Sequence, residues 1–370
     1  MLAHLAHKVN RSYVFQDYRW NLNHIPWPKE MVPEKWPLYP QTPANALIGG
    51  PAVGGPWGPG DNAPRAISEH WWDTVCPPES RKEVAADDVK TPVYWDNGDI
   101  ILRAWEKALS GPEKCIEVTG SWNGKNNLPQ TIDTYVWGSE RILPLWEEFR
   151  DSPVSKYTTA SHLALAAVEK NAILFRPRGP KPKTAISNDP FDRMLALHVR
   201  RGDYKKACTG FGEWNSSFYG WNQLPYLPDR FQHPEGYEWG KNTPQNIAKF
   251  VKHCYPDDEY IFRKIEDSKR DYERAGKPGQ PRQLDVLFLM TNEKMEWQRE
   301  IKSRLLLAGW STVVTTQDLR LDSEQFEIGM TVDMELARRA AVFIGNGVRI
   351  SFPPRFTRTN LSRIVVIFYK

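Results

Sequence analysis

Hydrophobic positions along the chain change rhythm near residue 190. Beyond it, short apolar runs alternate with longer stretches of helical spacing. The runs are Met194–Val199, Val286–Met290, Thr312–Thr315, Ala341–Ile344 and Ile364–Phe368. Continuous runs of this length predict strands buried on both faces. Between them, residues 244–274 read as mostly helical and Ser323–Arg339 as one helix. Thr291 or Asn292 is the expected cap of a helix whose face carries Trp297, Ile301 and Leu305 and which Gly309 ends. Strands alternating with helices imply an α/β protein with a doubly wound parallel sheet.

The first half is less regular. Leu2, Leu5 and Val9 share a helical face, and Tyr13–Phe15 reads as a strand. No capping residue and no strand precede that helix, so a strand and loop are expected upstream and the N-terminus reads as truncated. Residues 26–64 hold ten of the 30 prolines and six of the 24 glycines, with Trp27, Trp36 and Trp57 among them. Regular structure is excluded there. A surface loop anchored by tryptophans is expected, with a flexible lid or an acceptor-binding loop as the functional alternative. Residues 99–108 and 134–173 carry helical spacing, and Ala172–Phe175 reads as a short strand. The Pro- and Lys-rich stretch 176–190 marks a boundary, giving domains 1–180 and 190–370.

Composition narrows the function classes. The 370 residues carry 49 basic and 45 acidic side chains, a net charge of +4. So even a balance argues against nucleic acid or an anionic membrane as partner. No apolar run reaches the roughly 18 residues of a membrane helix, and the first residues lack the layout of an export signal. Cys76, Cys115, Cys208 and Cys254 have neither C-x-x-C spacing nor a suitably placed histidine, so no metal site is expected. Two disulfides, 76–115 and 208–254 if sequential, would suit an oxidising compartment, and four buried thiols are the alternative. N-x-[ST] sequons stand at Asn10, Asn215 and Asn360.

Candidate chemistry sits at strand ends, where ligands of open α/β sheets bind. One end is His198, Arg200, Arg201, Gly202 and Asp203, another Thr291–Asn292, and a third Gly345–Asn346–Gly347. Guanidiniums offer a planar fork that suits phosphate oxygens, and glycines let backbone approach. The structural alternative is an internal Arg–Asp pair with His198 a core histidine. No Walker-type loop is present, which argues against phosphoryl transfer from ATP. Alternate residues leave a strand on opposite faces, so only one of Arg200 and Arg201 can face a phosphate. Arg201–Gly202–Asp203 spells an integrin tripeptide, a use that needs an exposed loop tip rather than a strand end.

LALHVRRGDY resembles the His-x-Arg-x-Gly-Asp segment of the GDP-fucose protein O-fucosyltransferases, particularly their fungal relatives. LDVLFLMTNEKMEW and VDMELARRAAVFIGN are similar to the same family's intervening strand and its Asp-led helix with Phe-Ile-Gly-Asn end. The likeness runs over residues 1–347 in order and spacing. It implies a GT-B-like fold of two Rossmann-like doubly wound domains, the second binding the donor and the first on the acceptor side. It also implies an inverting, metal-independent transfer from GDP-fucose, the donor substrate, to a protein or glycan hydroxyl, with no other cofactor. Carried over, Arg200 binds the β-phosphate and stabilises the leaving diphosphate, His198 contacts the nucleotide, and Asp333 lies on the guanine side. Gly202, Gly345 and Asn346 complete the donor cradle.

Two departures matter. The family's Gly- and Asn-containing first loop is not seen before residue 1. The Ser-Ser-Phe-type turn is replaced in GNGVRISF, with Arg349 and Ile350 at the serine positions, so Ser351 and Phe352 stand in if one residue is inserted. The resemblance places the enzyme in the endoplasmic reticulum or Golgi lumen, with membrane contact only through an N-terminal anchor. A catalytically inactive relative and a carbohydrate-binding protein built on 16 tryptophans are the alternatives.

Overall fold

Four of the apolar runs are strands, three of them buried almost throughout and the fourth, at the sheet's edge, half-buried. In the computed structural model β1 (Met194–Val199), β2 (Val286–Thr291), β3 (Thr312–Thr315) and β4 (Val342–Gly345) form one parallel sheet in the order β3-β2-β1-β4. The structure describes residues 1–20, 40–120, 131–177, 189–202, 204–216, 220–227, 230–235, 241–276 and 282–345. The expected strand at 364–368 lies outside them.

The sheet's two faces divide by parity. Leu195, Leu197 and Val199 of β1 pack with Leu287 and Leu289 of β2 into one apolar cluster. Covering it are Ile261 and Ile265 of helix α3 (Asp258–Arg274) and Ile301 and Leu305 of helix α4 (Met295–Leu307). Burying each such side chain contributes roughly 1.5–3 kcal/mol. On the opposite face Phe288 meets Phe175 edge to face at 5.5 Å, and Phe175 lies 5.4 Å from Phe191. Helix α5 (Gly329–Arg339) also packs against β1. Glu335 of α5 is buried, held by two Arg338 nitrogens at 2.6 Å each and by Arg339 at 3.0 Å. Burial raises its pKa, but the two guanidiniums outweigh that and hold it below the ordinary glutamate value.

The described residues separate into two compact units, Met1–His162 and a second beginning at Leu163. The break thus falls before residues 176–190. Helix His162–Asn171 leads into the second unit, where Asn171 donates to Arg320 O at 3.1 Å and accepts from Arg320 N at 2.7 Å. Ala172–Phe175 is a 3-10 turn and not the expected strand: Phe175 dives into the aromatic cluster instead of presenting its backbone to a sheet edge. Four apolar residues cannot distinguish the two periods.

Helical spacing was legible, but the breaks were not. Residues 244–274 form α2 (Pro244–Cys254) before α3, parted around Pro256, with the Asp257 side chain accepting from Tyr260 N at 2.7 Å. Ser323–Arg339 splits into Ser323–Glu327 and α5. Residues 134–173 break into several short pieces, with Pro144 inside a 3-10 turn and Pro153 restarting a helix. Helix α4 begins at Met295 behind Lys294, with no side-chain cap, so neither Thr291 nor Asn292 caps it.

In the first unit the described strands make only two-stranded pairs. Val14–Phe15 lies parallel to Ile67–Ser68, and Arg81–Ala85 parallel to Cys115–Thr119. A doubly wound sheet is therefore present in the second unit alone among the described residues. Most of the first unit's strands are two residues long, interrupted by Pro- and Gly-rich backbone that cannot extend a ladder. Within the loop region, Trp57 is buried and donates to Pro64 O at 3.0 Å, as an anchored loop requires. Trp27 and Trp36 lie outside the described residues. The cysteines pair as 76–115 and 208–254. The second bridge joins α2 to helix α1 (Tyr204–Glu213). Among the described residues no helix is long and apolar enough to cross a membrane.

Candidate functional site

In the order β3-β2-β1-β4 the chain steps outward from β1 in one direction, then returns to place β4 on β1's other side. Ligands of open α/β sheets bind where that order reverses, beyond the strands' carboxyl ends. Here the reversal lies between β1 and β4. His198 is flanked by Gly345 of β4 and Met290 of β2 in register. The three strand ends singled out in the sequence are thus neighbours.

Beyond Val199 the two arginines part. Arg201 has the parity of Leu197 and Val199 and turns toward the α3–α4 face. Its Nε donates to Glu293 at 3.3 Å and one terminal nitrogen to Pro256 O at 3.0 Å, with Asp258 3.5 Å away. Its guanidinium also lies 4.9 Å from the Tyr255 ring centre and 5.0 Å from that of Trp297. Trp297 Nε1 in turn donates to Asp258 at 3.1 Å. Arg201 is the internal ion pair that closes the strand end. Arg200 lies instead over the ring of Tyr204, 5.3 Å from its centre, at the first residue of α1. A half-buried guanidinium beside a helix N-terminus is a favourable setting for an anion, because dipole and charge act with the same sign.

Asn292 clamps this turn. Its Oδ1 accepts from Arg201 N at 2.8 Å and its Nδ2 donates to Arg201 O at 3.2 Å, stitching the end of β2 to that of β1. Gly202 follows with φ +63, the left-handed region that a side chain disfavours. Gly345 ends β4, where an added Cβ would come within 3.1 Å of the Phe343 ring. Asp333 of α5 is joined to the end of β3 by the Thr316 hydroxyl, 2.9 and 3.1 Å from its two oxygens. β3 lies two strands from β1, about 10 Å at sheet spacing. Asp203, Asn346, Ser351 and Phe352 lie outside the described residues.

Sequence reasoning missed Glu293, Pro256, Asp258 and Trp297 as the partners that fix Arg201. Asn292 was expected as a helix cap and at a candidate strand end, but not as the clamp on the Arg201 backbone. Among the described residues no group of three or more His, Cys, Asp or Glu side chains could hold a metal. The tryptophans mostly serve the core: Trp57, Trp105 and Trp310 are fully buried, whereas Trp71, Trp95 and Trp214 are the exposed ones among the described residues.

No protein-family model matches this chain, and no curated protein matches it. Among solved structures it is similar to POFUT1 in complex with GDP-fucose, with TM-score 0.48 and 16% identity, covering 94% of this chain and 85% of that one. It is also similar to POFUT1 in complex with GDP, with TM-score 0.44, 14% identity and coverage of 94% and 85%. For the apo form of POFUT1 the TM-score is 0.42, at 14% identity and the same coverage. Likeness at this level fixes neither an activity nor a site residue.

Proposed function

We propose that the second unit binds the diphosphate of a GDP-sugar beyond the ends of β1, β2 and β4. In this reading the chain transfers fucose, or a related sugar, to a protein or glycan hydroxyl. One observation supports it above the others: at the sheet's switch point Arg201 is absorbed by Glu293 and Asp258, while its neighbour Arg200 is directed elsewhere, beside the start of α1. The sequence resemblance through LALHVRRGDY and VDMELARRAAVFIGN points to the same donor.

The chemistry follows from charge. As the bond between the sugar C1 and the phosphate oxygen breaks, its electron pair goes to the β-phosphate. A preorganised guanidinium there lowers the barrier by stabilising that developing charge. Arg200 thus does what a divalent cation does in other nucleotide-sugar enzymes, hence the metal-independent reading. The acceptor oxygen attacks C1 from the opposite side, inverting it, and its proton passes to a general base. His198 contacts the nucleotide, Gly202 and Gly345 admit its backbone-side approach, and Asp333 accepts from guanine with Thr316 fixing its orientation. Asn346, Ser351 and Phe352 extend the same cradle in this reading. The two disulfides support an oxidising lumen as the compartment.

Calorimetric titration with GDP, UDP and GMP tests the site. Binding in the order GDP over GMP and UDP, undiminished by a chelator, is expected. Absence of GDP binding at millimolar concentration sinks the proposal and leaves the carbohydrate-binding alternative. Transfer from GDP-fucose, with the product's anomeric configuration read by NMR, tests the inversion.

A further inference from the structure

Three sequons are written in the sequence, and the fold does not treat them alike. Asn10 follows the helix Leu2–Lys8 in a left-handed turn, φ +53, and is exposed. The turn is pinned from the inside by Arg11. Its Nε donates to Leu109 O at 2.6 Å, and its terminal nitrogens donate to Glu113 O and Gly111 O at 2.7 Å each. Residues 10–13 therefore alternate outward and inward: Asn10 and Ser12 exposed, Arg11 half-buried, Tyr13 buried. The asparagine and the hydroxyl two residues on both face water, so a bulky hydrophilic glycan on Asn10 stands clear of the packed side chains.

Asn215 is the reverse case. It is only 7% exposed, and its buried Oδ1 has no hydrogen-bond partner among the described residues. It also lies inside the loop closed by Cys208–Cys254. A hydrophilic glycan there could not be accommodated without displacing the packing around α1. Asn360 lies outside the described residues.

We propose that Asn10 is an N-glycosylation site of this protein and that Asn215 is not, although both carry the same motif. The inference rests on the oxidising lumen that the two disulfides indicate, and is independent of the donor site. In the step, the Asn10 amide nitrogen attacks C1 of an oligosaccharide carried on a lipid diphosphate. The N–C1 bond forms, the C1–O bond breaks with its electron pair leaving on the diphosphate, and the amide proton is lost.

The test is to direct the full chain into the secretory pathway of an N-glycosylating eukaryotic cell and isolate the form with Cys208–Cys254 bridged. Treatment with an amidase that converts glycosylated Asn to Asp in heavy-oxygen water then marks occupied sites for peptide mass spectrometry. The expected result is a majority mark on Asn10 and none on Asn215. Asn10→Gln and Ser12→Ala should each abolish the Asn10-peptide mark, and Asn215→Gln should leave the glycan mass unchanged. Unmarked Asn10 in bridged material, or marked Asn215 in it, overturns the proposal. So does a chain that never forms the bridge in that compartment, since the inference depends on it.

Discussion

Replacing Arg201 and Arg200 by alanine, one at a time, should separate folding from binding. The Arg201 side chain is 15% exposed and its acidic partner Glu293 17%. Arg201→Ala leaves Glu293 and Asp258 without their cation and removes the guanidinium from two aromatic rings. Breaking a buried pair costs about 3–5 kcal/mol, and partial exposure here reduces that to roughly 2–3. Loss of the cation–π contacts adds about 0.5–1 kcal/mol. A total of about 3 kcal/mol corresponds to a fall in Tm of roughly 6–12 °C for a unit of this size. Arg200→Ala should cost less stability than Arg201→Ala does. It should weaken GDP by about 10–100-fold, the worth of charge-assisted hydrogen bonds, and slow transfer about 10²–10³-fold. Urea unfolding and GDP calorimetry on both variants decide it. The reasoning fails if Arg201→Ala keeps its stability yet loses GDP as severely as Arg200→Ala does.

Four other outcomes follow from the same geometry. Cys208→Ser should destabilise the α1–α2 pair by up to about 4 kcal/mol, because the bridge closes a loop with a sequence separation of 46, and non-reducing peptide maps should find 76–115 and 208–254 as the pairs. Gly202→Val should weaken GDP binding and cost at least 1–2 kcal/mol in urea unfolding, and Gly202→Asn markedly less, since asparagine tolerates the left-handed region. Glu335→Gln should destabilise α5 by about 2–3 kcal/mol, measured by urea unfolding at pH 7, because two half-buried arginines lose their shared anion. His4 is buried, and burial lowers its pKa to about 4 despite the opposing pull of its hydrogen bond to Glu148. The unfolded chain therefore takes up a proton that the folded one refuses between about pH 6.5 and 4, so stability present above 6.5 should fall by up to about 3 kcal/mol across that window, and His4→Gln should flatten the slope of ΔG against pH.

What was legible in the sequence was the second unit's sheet, because strands buried on both faces leave unbroken apolar runs that helices of the same protein do not. Strand ends were legible for the same reason: polar and glycine residues interrupt such runs only where the backbone leaves the core. Helix starts were not. Thr291 and Asn292 have the chemistry of caps, but the Thr291 hydroxyl accepts from Glu293 N, and Asn292 is spent on the backbone of Arg201, 91 residues away. A side chain with two possible employers reveals its choice only in three dimensions. The first unit was the least legible, since most of its described strands are two residues long and carry no period at all.

The adjacent arginines show how far local pattern can be pushed. Side chains on consecutive extended residues leave on opposite sides, so a pair at a strand mouth must divide its labour whatever the fold. Which of the two serves the core depends on what covers each face, and that is long-range information: Glu293 is 92 residues from Arg201 and Pro256 is 55. Once α3 and α4 are seen to pack on the face of Leu195, Leu197 and Val199, Arg201 must join them, because its parity is theirs. A charge on that side can remain only if acids are brought to it, and Asp258 at the start of α3 and Glu293 just before α4 meet that need. Arg200 is thereby committed to the other side, where the sheet order reverses. Its candidacy for the diphosphate is a consequence of where its neighbour had to go.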